Sequence, residues 1–569
     1  MFRKRIAAVS VIAAAMFAGG VTTPRPAHAA DVIDLDDEES GGVIDLDEGD
    51  AAPPPAVVAG DMTEEAAAAK RAFDQKRWPE AAQGMFRVVA GETGDDPGNR
   101  QLGEYYLAVS LYNLKFFQAS FAIFSVIADN PNHLRFNETL LWLAKLATDL
   151  PEAADIIARV GKYGDEHLAR FDNKEQRDLY WQLNYMLGRY KYQQGDYEEA
   201  IRLFQKVDRQ SPQYVKAQFF TGISYVRVRK SVPAVKAFQR IEKAIAEGAA
   251  KGVEDENRML DLAKLSMART FYSASIRLDP ETNAPTIDET KLSAAVKYWN
   301  EVEENSEYWL DAHFEEAWAY FMAGQYTRAL GNIHTLNAPY FPNAFYPEAD
   351  ILKAVVYFTN CDYDRATIVV ARFQQKTQPV KEELQKVLQK HKGENQDEDF
   401  YKFLIQVREG KANLNETVEP IVESALSDRN LLRNIEYVRL LEEEEKRFKK
   451  APPTFQNSAI GTQVEQSLEL AKTLAKKRAG KLARQRYQRY VDEMDEHIRN
   501  GDKILIDIVA AKRNLLDQAI TEGQVSAAES RLFGVVNPDD EHFMWPFDGE
   551  YWRDELGFYR QEVQSACGR

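Results

Sequence analysis

Small and aromatic residues recur in the middle of the chain at a constant spacing. Four positions return 34 residues later with the same or a similar residue: Gly188 and Gly222, Ala200 and Ala234, Phe204 and Phe238, Val207 and Ile241. Within each copy, apolar residues follow three- and four-residue intervals, the pattern of a helix with one buried face. Pro212 then ends the first copy. The pattern therefore predicts two helices per copy, joined by a turn at Gly195.

These positions resemble the tetratricopeptide repeat (TPR), a helix-turn-helix unit with a 34-residue period. Small residues at Gly188 and Ala200 suit a close helix crossing, and Tyr192, Tyr197 and Phe204 suit the space between the helices. Weaker copies are carried by the following residues: Trp78, Ala81, Met85 and Val88; Phe116, Ala119, Ile123, Val126 and Pro131; Ala317, Tyr320, Gly324, Tyr326 and Ala329; Ala354, Tyr357, Tyr363, Ala366 and Val370.

The register is less regular between these copies. Leu140–Val160 reads as a degenerate unit, and a unit beginning near Ala268 is interrupted by Leu278–Thr290 before it resumes at Ala295. The resemblance covers about residues 63–378, with seven or eight units. One hairpin cannot bury its own apolar face, so such units stack into a curved solenoid. We therefore expect an all-α fold, and TPR solenoids imply binding of peptides or protein segments rather than catalysis.

Beyond Lys381 the repeat residues disappear and the density of charge rises. Two helical segments are predicted, Pro420–Lys450 and Val464–Ile520, separated by a loop that contains prolines. Glycine is unfavourable inside a helix, so Gly480 and Gly501 predict that the second segment is broken into packed or antiparallel helices. Docking of these helices on the last repeat is a candidate arrangement for the charged region.

A basic stretch lies inside this acidic protein. Residues 472–489 contain eight Lys and Arg and no acidic residue, among them Lys476, Lys477, Arg478, Lys481, Arg484 and Arg486. One interpretation is an ordinary solvated helix face. The other is a surface for an anionic partner: a lipid headgroup, a cell-wall polymer or the acidic N-terminal tail of this chain.

The C-terminal tail is rich in aromatic residues. Seven lie between positions 543 and 559, including Trp545, Phe547, Tyr551 and Trp552. Aromatic rings give a docking segment a large contact area at a small entropic cost. Alternatively, the tail folds back and caps the open apolar end of the solenoid, since terminal repeats need a cover.

The N-terminus has the three parts of a secretory signal peptide. Arg3, Lys4 and Arg5 precede an apolar core, and Ala27-His28-Ala29 forms a cleavage site. We therefore expect an exported, periplasmic protein without a transmembrane segment. The net charge of −17 becomes about −21 once the four basic residues of the signal peptide are removed, which argues against nucleic-acid binding. Cys361 and Cys567 could pair in an oxidising compartment, but their sequence context leaves this open.

An acidic segment with a duplicated five-residue motif follows the predicted cleavage site. Residues 31–50 contain ten acids, no base and two copies of Val-Ile-Asp-Leu-Asp. The apolar residues of the copies are Val32, Ile33, Leu35, Val43, Ile44 and Leu46. This composition favours disorder until a partner binds. The segment is either a solubilising spacer or a bivalent tail that adds strands to a partner's sheet.

Sequence motifs for chemistry are missing. The eight His residues share no metal-ligand spacing, and neither a nucleophile elbow nor a phosphate-binding loop occurs. We predict no enzyme activity and no cofactor. The alternatives are a soluble periplasmic module that binds peptides or glycan fragments, and a cell-wall lytic enzyme with a helical superhelix, whose compact catalytic domain is not apparent.

The order of these parts is similar to that of the periplasmic TPR component of bacterial adventurous gliding motility complexes. That resemblance implies an adaptor in an envelope machine, with other envelope proteins as partners and peripheral contact with anionic envelope components. The predicted parts are a signal peptide (1–29), an acidic tail (30–61), TPR-like repeats (62–250), further repeats with an insertion (251–378), a charged helical region (379–525) and an aromatic tail (526–569).

Overall fold

The structure is a computed structural model that describes residues 57–151, 155–278, 285–341, 344–412, 428–521 and 550–567, together with residues 414, 419 and 422. Most of these residues are helical, and the strands form one two-stranded sheet within this part of the chain. The prediction of an all-α fold is therefore confirmed.

The repeat region is a series of paired helices. They are α1 Glu64–Asp74, α2 Trp78–Val89, α3 Pro97–Asn113, α4 Phe117–Ala128, α5 Phe136–Asp149, α6 Ile156–Val160, α7 Asp165–Ala169, α8 Arg177–Gln193, α9 Tyr197–Phe204, α10 Tyr214–Arg227, α11 Ser231–Ala246, α12 Glu256–Ser275, α13 Glu289–Asn300, α14 Trp309–Met322, α15 Tyr326–Leu336, α16 Pro347–Thr359 and α17 Tyr363–Lys390. The elements that follow are α18 Gln396–Arg408, α19 Arg429–Lys449, α20 Pro453–Gln456, α21 Ala459–Thr521 and a 3-10 turn at Arg553–Glu555.

The 34-residue period is visible in the packing of two glycines. A Cβ atom on Gly188 of α8 would lie 2.6 Å from Cε1 of Phe204 in α9. A Cβ atom on Gly222 of α10 would overlap Cε1 of Phe238 in α11 in the same way. Glycine thus lets each first helix approach the phenylalanine of the second. The repeated contact confirms a helical-hairpin repeat.

One turn conformation also recurs. Among the described residues, six helix pairs have a left-handed residue two positions before the second helix, with φ between 57° and 77°. These residues are Lys76, Lys115, Gly195, Arg229, Gly324 and Cys361. These six helix pairs therefore reverse direction through the same backbone geometry, whether or not glycine occupies the position.

The interruption predicted at Leu278–Thr290 corresponds to an insertion between α12 and α13. Its described ends form a small antiparallel hairpin of β1 Ile276–Leu278 and β2 Pro285–Ile287, in which Ile276 pairs with Ile287. Helix α13 then begins at Glu289, and its buried Ala295 and Trp299 resume the apolar face of the repeat.

The charged region does not break at either glycine. Helix α21 runs without interruption for 63 residues, so the prediction of separate helices is wrong. Both glycines lie where another helix comes close. A Cβ atom on Gly480 would overlap the carbonyl oxygen of Asp397 in α18, and one on Gly501 would lie 3.0 Å from Val370 Cγ1 in α17. Close helix packing explains these glycines, which local helix propensity could not reveal.

Helix α21 joins the first repeats to the last ones. At 1.5 Å per residue, its 63 residues span about 95 Å. Val464 and Leu468 share an apolar cluster with α2–α8 and α19. Farther along, Tyr487 packs with α17 and α18, and Ile504 and Ile508 pack with α14–α17. One helix therefore ties both ends of the repeat region together.

Glu444 of α19 caps a helix that lies far away in the sequence. The N-cap residue of α4, Phe116, makes no side-chain hydrogen bond to the helix. Instead, the backbone N–H of Gln118 donates to both carboxylate oxygens of Glu444, at 3.1 and 3.2 Å. Tyr437 adds a 2.6 Å bond to the Gln118 side chain. These bonds fix α19 against the second helix pair and satisfy a helix terminus.

Candidate protein-interaction surfaces

The C-terminal segment, residues 550–567, lies across α14, α15 and α16. Its Leu556 is 5% exposed and belongs to the apolar cluster that contains Trp309 and Ala338. Val563 packs against the cluster formed by α14–α17. Residues 559–566 have no regular secondary structure. The repeat surface thus holds an irregular stretch of polypeptide, which here belongs to the same chain.

His334 of α15 contacts two aromatic side chains of the C-terminal segment. Its ring stacks on Tyr551 with 4.3 Å between centroids and meets the edge of Tyr559 at 4.7 Å. The Tyr340 hydroxyl donates to the Tyr551 carbonyl oxygen at 2.8 Å. Burial, helped by the positive charge of Lys353, lowers the pKa of His334 to about 4. The imidazole is therefore neutral at physiological pH and packs without burying a charge.

Main-chain atoms of the segment bind the repeats as well. A Cβ atom on Gly331, in the middle of α15, would overlap the carbonyl oxygen of Tyr559, so the segment rests directly on the helix backbone. Backbone N–H groups of the segment donate three bonds to the repeats: Gly557 to Thr335 Oγ1 at 3.0 Å, Gln561 to the Thr327 carbonyl at 3.2 Å, and Ala566 to the Asn360 carbonyl at 2.8 Å.

A disulfide fastens the end of the segment. Cys361 and Cys567, whose pairing the sequence left open, are bonded in the structure, with their Cα atoms 5.2 Å apart. Cys361 occupies the left-handed turn between α16 and α17. The bond therefore joins the C-terminus to the last repeat.

The aromatic tail folds back, but its described part does not cap the solenoid end. The last repeat helix, α17, is covered by α18 and α21 through residues such as Leu384, Phe400 and Tyr487. Of the predicted docking residues, Tyr551 binds within the chain, whereas Trp552 is 50% exposed. Trp545 and Phe547 lie outside the described residues, and their role stays a prediction.

The basic stretch meets acidic residues of this chain. The pairs are Lys472 with Glu445 at 2.8 Å, Lys476 with Glu442 at 3.2 Å, Arg484 with Asp397 at 3.0 Å and Arg486 with Asp428 at 3.1 Å. Arg486 is 4% exposed, and burial lowers the pKa of Arg478, so the interpretation of a merely solvated face is wrong for these residues. Lys477 and Lys481 are exposed, and their binding of an anionic partner stays a prediction.

The duplicated Val-Ile-Asp-Leu-Asp motif cannot be placed. Val32, Ile33, Leu35, Val43, Ile44 and Leu46 all lie outside the described residues, so strand addition stays a prediction. The first described residues are held at the start of α3, where the backbone N–H of Gly60 donates to Asp96 Oδ2 at 3.0 Å and Asn99 donates to the Gly60 carbonyl at 3.1 Å.

The residues that receive the C-terminal segment were not predicted from the sequence. Gly331 was the available signal, since glycine in a helix interior costs about 1 kcal/mol and often marks close backbone approach. His334 and Thr335 gave no signal, because nothing in their spacing shows which stretch of chain covers them.

Buried carboxyl groups in the repeats have structural partners. Glu315 receives a bidentate bond from Arg269, with a closest approach of 2.6 Å, and a bond from Trp299 Nε1 at 3.2 Å. Asp311 accepts from the Tyr346 hydroxyl at 2.7 Å, and burial raises its pKa to about 7. Within the described ranges, no cluster of three or more His, Cys, Asp or Glu side chains is suited to hold a metal ion.

The same part of the chain contains no helix long and apolar enough to cross a membrane. The chain matches no protein-family model and no curated protein. It is similar to a solved structure described as a circular tandem repeat protein with novel repeat topology and enhanced subunit contact surfaces, at 17% identity over 81% of this chain and 90% of that chain. The TM-score of 0.11 is too low to carry an argument, so the repeat architecture rests on the packing described above.

Proposed function

We propose that the protein is an exported, periplasmic scaffold of the TPR type that binds other proteins in a bacterial cell-envelope complex and performs no catalysis. The observation that carries this proposal is the docking of residues 550–567 on α14–α16. A helical repeat surface that holds an irregular peptide through ring stacking and main-chain hydrogen bonds has the properties of a protein-binding surface.

The finer assignment rests on resemblance and on the predicted signal peptide. The order of the parts is similar to that of the TPR component of adventurous gliding motility complexes, which makes that machinery the first complex to test. The exposed Lys477 and Lys481 are candidates for peripheral contact with anionic envelope components.

Affinity purification of the tagged, exported protein in mild detergent, followed by mass spectrometry, tests the proposal. We expect envelope proteins to be enriched relative to an exported, tagged control protein of similar charge. If the same proteins appear with the control, or if the purified protein releases muropeptides from cell wall, the scaffold assignment is wrong.

Localisation and setting need separate tests. Fractionation should place the protein in the periplasm, and replacement of Arg3, Lys4 and Arg5 by Glu should keep it in the cytoplasm. Deletion of the gene should impair gliding if the motility assignment is right. A deletion strain that glides normally but secretes poorly would move the scaffold to another envelope complex.

A further inference from the structure

The contact between the C-terminal segment and the repeats has the features of a peptide complex. Tyr551 and Tyr559 enclose His334, and Leu556 is buried in the adjacent apolar cluster. The Gly331 backbone touches the segment directly. Protein surfaces recognise peptide segments through anchoring side chains combined with main-chain bonds.

The receiving surface belongs to the repeats and does not depend on the segment for its helices. Helices α14, α15 and α16 pack on each other through Ala317, Ala329, Leu330 and Leu352, all of which are completely buried. The carbonyl groups of Thr327 and Asn360, which accept bonds from the segment, stand at a helix start and at a helix end. Another peptide with the same chemistry can use the same acceptors.

The segment has the means to compete with such a peptide. The segment belongs to the same chain as the surface, and the Cys361–Cys567 disulfide attaches it to the turn between α16 and α17. A ligand tethered in this way has an effective concentration near the millimolar range, so a free peptide of equal intrinsic affinity is largely excluded.

We infer that the surface of α14, α15 and α16 is a binding site for an irregular, turn-containing segment of a partner protein with two tyrosines that flank a Leu-Gly pair, and that residues 550–567 occupy this site as an internal competitor. The inference rests on the proposed scaffold function and adds the class of ligand that one surface takes. Opening of the tethered segment then controls access to the site.

The test uses the full chain and a labelled synthetic peptide of residues 550–566 as the probe. An opened variant carries Tyr551→Ala and Tyr559→Ala, which weaken the internal contact, together with Cys361→Ser and Cys567→Ser, which remove the fastening and leave no free thiol. Fluorescence anisotropy should show the peptide binding the opened variant at least about tenfold more tightly than the wild-type chain.

A second substitution tests the surface itself. Gly331→Ala in the opened variant places a methyl group where the Tyr559 carbonyl oxygen must lie, so we expect peptide affinity to fall by about tenfold or more. Alanine is a better helix former than glycine, so α15 itself should be retained. The matched control is Gly393→Ala, because a Cβ atom there meets nothing within 4 Å, and it should leave affinity unchanged.

Three results would overturn the inference: equal peptide affinity for the wild-type and opened chains, absence of binding to the opened chain, and insensitivity to Gly331→Ala. A dimer held by a disulfide between two copies, seen by non-reducing electrophoresis of the wild-type protein, would mean that the segment of one chain occupies the site of the other chain. The inference of an internal competitor would then be wrong. Failure of the peptide assay together with recovery of envelope proteins in the affinity purification would refute this inference alone and leave the scaffold proposal intact.

Discussion

The left-handed turn of the repeats has a different energetic cost for each residue that occupies it. Glycine adopts positive φ without steric penalty, whereas a residue with a Cβ atom loses about 1–2 kcal/mol. Gly195 and Gly324 avoid this cost, and Lys115 and Arg229 bear it at the same position of their own repeats. The surrounding helices therefore impose the turn, and glycine only lowers its conformational free-energy cost.

Gly195→Ala should lower the free energy of unfolding by about 1 kcal/mol, because φ is +77° and the cost is purely conformational. A Cβ atom at this position meets nothing within 4 Å, so no clash contributes. Urea unfolding followed by circular dichroism measures the change. Gly393→Ala, which also points into open space but lacks a positive φ, should show no loss; an equal loss in both variants would contradict the explanation.

At the scale of the element, α21 is defined by its neighbours more than by its own composition. Its two interior glycines lie opposite α18 and α17, and its buried face changes partners along its length. Near its end the apolar stripe leaves the interior, since Val509 and Leu516 are 68% and 65% exposed. The helix thus continues beyond the surface that supports it.

Gly480→Ala should destabilise the protein, although alanine favours a helix by about 1 kcal/mol over glycine. The added methyl group would overlap the Asp397 carbonyl oxygen, and overpacking of this kind costs about 1–3 kcal/mol. Gly501→Ala meets side-chain atoms and no backbone, the nearest being Val370 Cγ1 at 3.0 Å, and should cost less. The melting temperatures of both variants test this explanation. If both temperatures rise, the glycines only lower the helix propensity of α21 and are not required by close helix packing.

The contact between α16 and α21 should make stability depend on pH. Burial, helped by the charges of Glu493 and Glu496, raises the pKa of Glu348 in α16 to about 8. Burial also raises the pKa of Glu493 in α21 to about 7, although the nearby Arg486 and Arg489 oppose this increase. The folded state therefore holds protons that the unfolded state releases near its ordinary pKa of 4.5. Since protons stabilise the folded state here, the free energy of unfolding should fall as pH rises from about 5 to 8.

Glu348→Gln tests this dependence, because glutamine resembles the protonated acid and cannot ionise. Urea unfolding at several pH values should show a shallower decline in the variant than in the wild type. The exposed Glu382 of α17 provides the control, and Glu382→Gln should leave the slope unchanged. An unchanged slope in Glu348→Gln would assign the pH dependence to other groups.

In the whole molecule, α21 and the C-terminal segment convert an open series of repeats into a connected body. Helix α21 ties the first repeats to the last, Glu444 caps α4 from α19, and the disulfide returns the C-terminus to α16–α17. Contacts between distant parts of the chain resist bending of the repeats, which otherwise touch only their neighbours. A helical repeat fold connected in this way presents its surfaces in a defined relative arrangement.

Leu468→Asp should separate the start of α21 from the first repeats, because it buries an unpaired charge at a position that is 2% exposed. We expect the melting temperature to fall and the radius of gyration, measured by small-angle X-ray scattering, to increase, while helical content stays near that of the wild type. Leu470→Asp is the matched control on the same helix, since Leu470 is 62% exposed. Similar effects of both substitutions would argue against a bridging role.

The sequence by itself determined the local architecture. The 34-residue spacing of Gly188 with Gly222 and of Phe204 with Phe238 predicted the helix pairs, because residues that meet within one hairpin are close in sequence. The insertion after α12 was also predictable, since it appears in the sequence as an interruption of the repeat pattern.

Only the tertiary structure determined which residues far apart in the sequence are in contact. Gly480 inside α21, the Cys361–Cys567 pair and the contact of Tyr559 with Gly331 each involve residues about 80 to more than 220 positions apart, and no periodic pattern links them. The basic stretch shows the same limit, because charge composition reveals an excess of Lys and Arg but not the acids of α18 and α19 that pair with some of these residues. Local periodicity specifies the hairpins, and long-range packing specifies how they are closed.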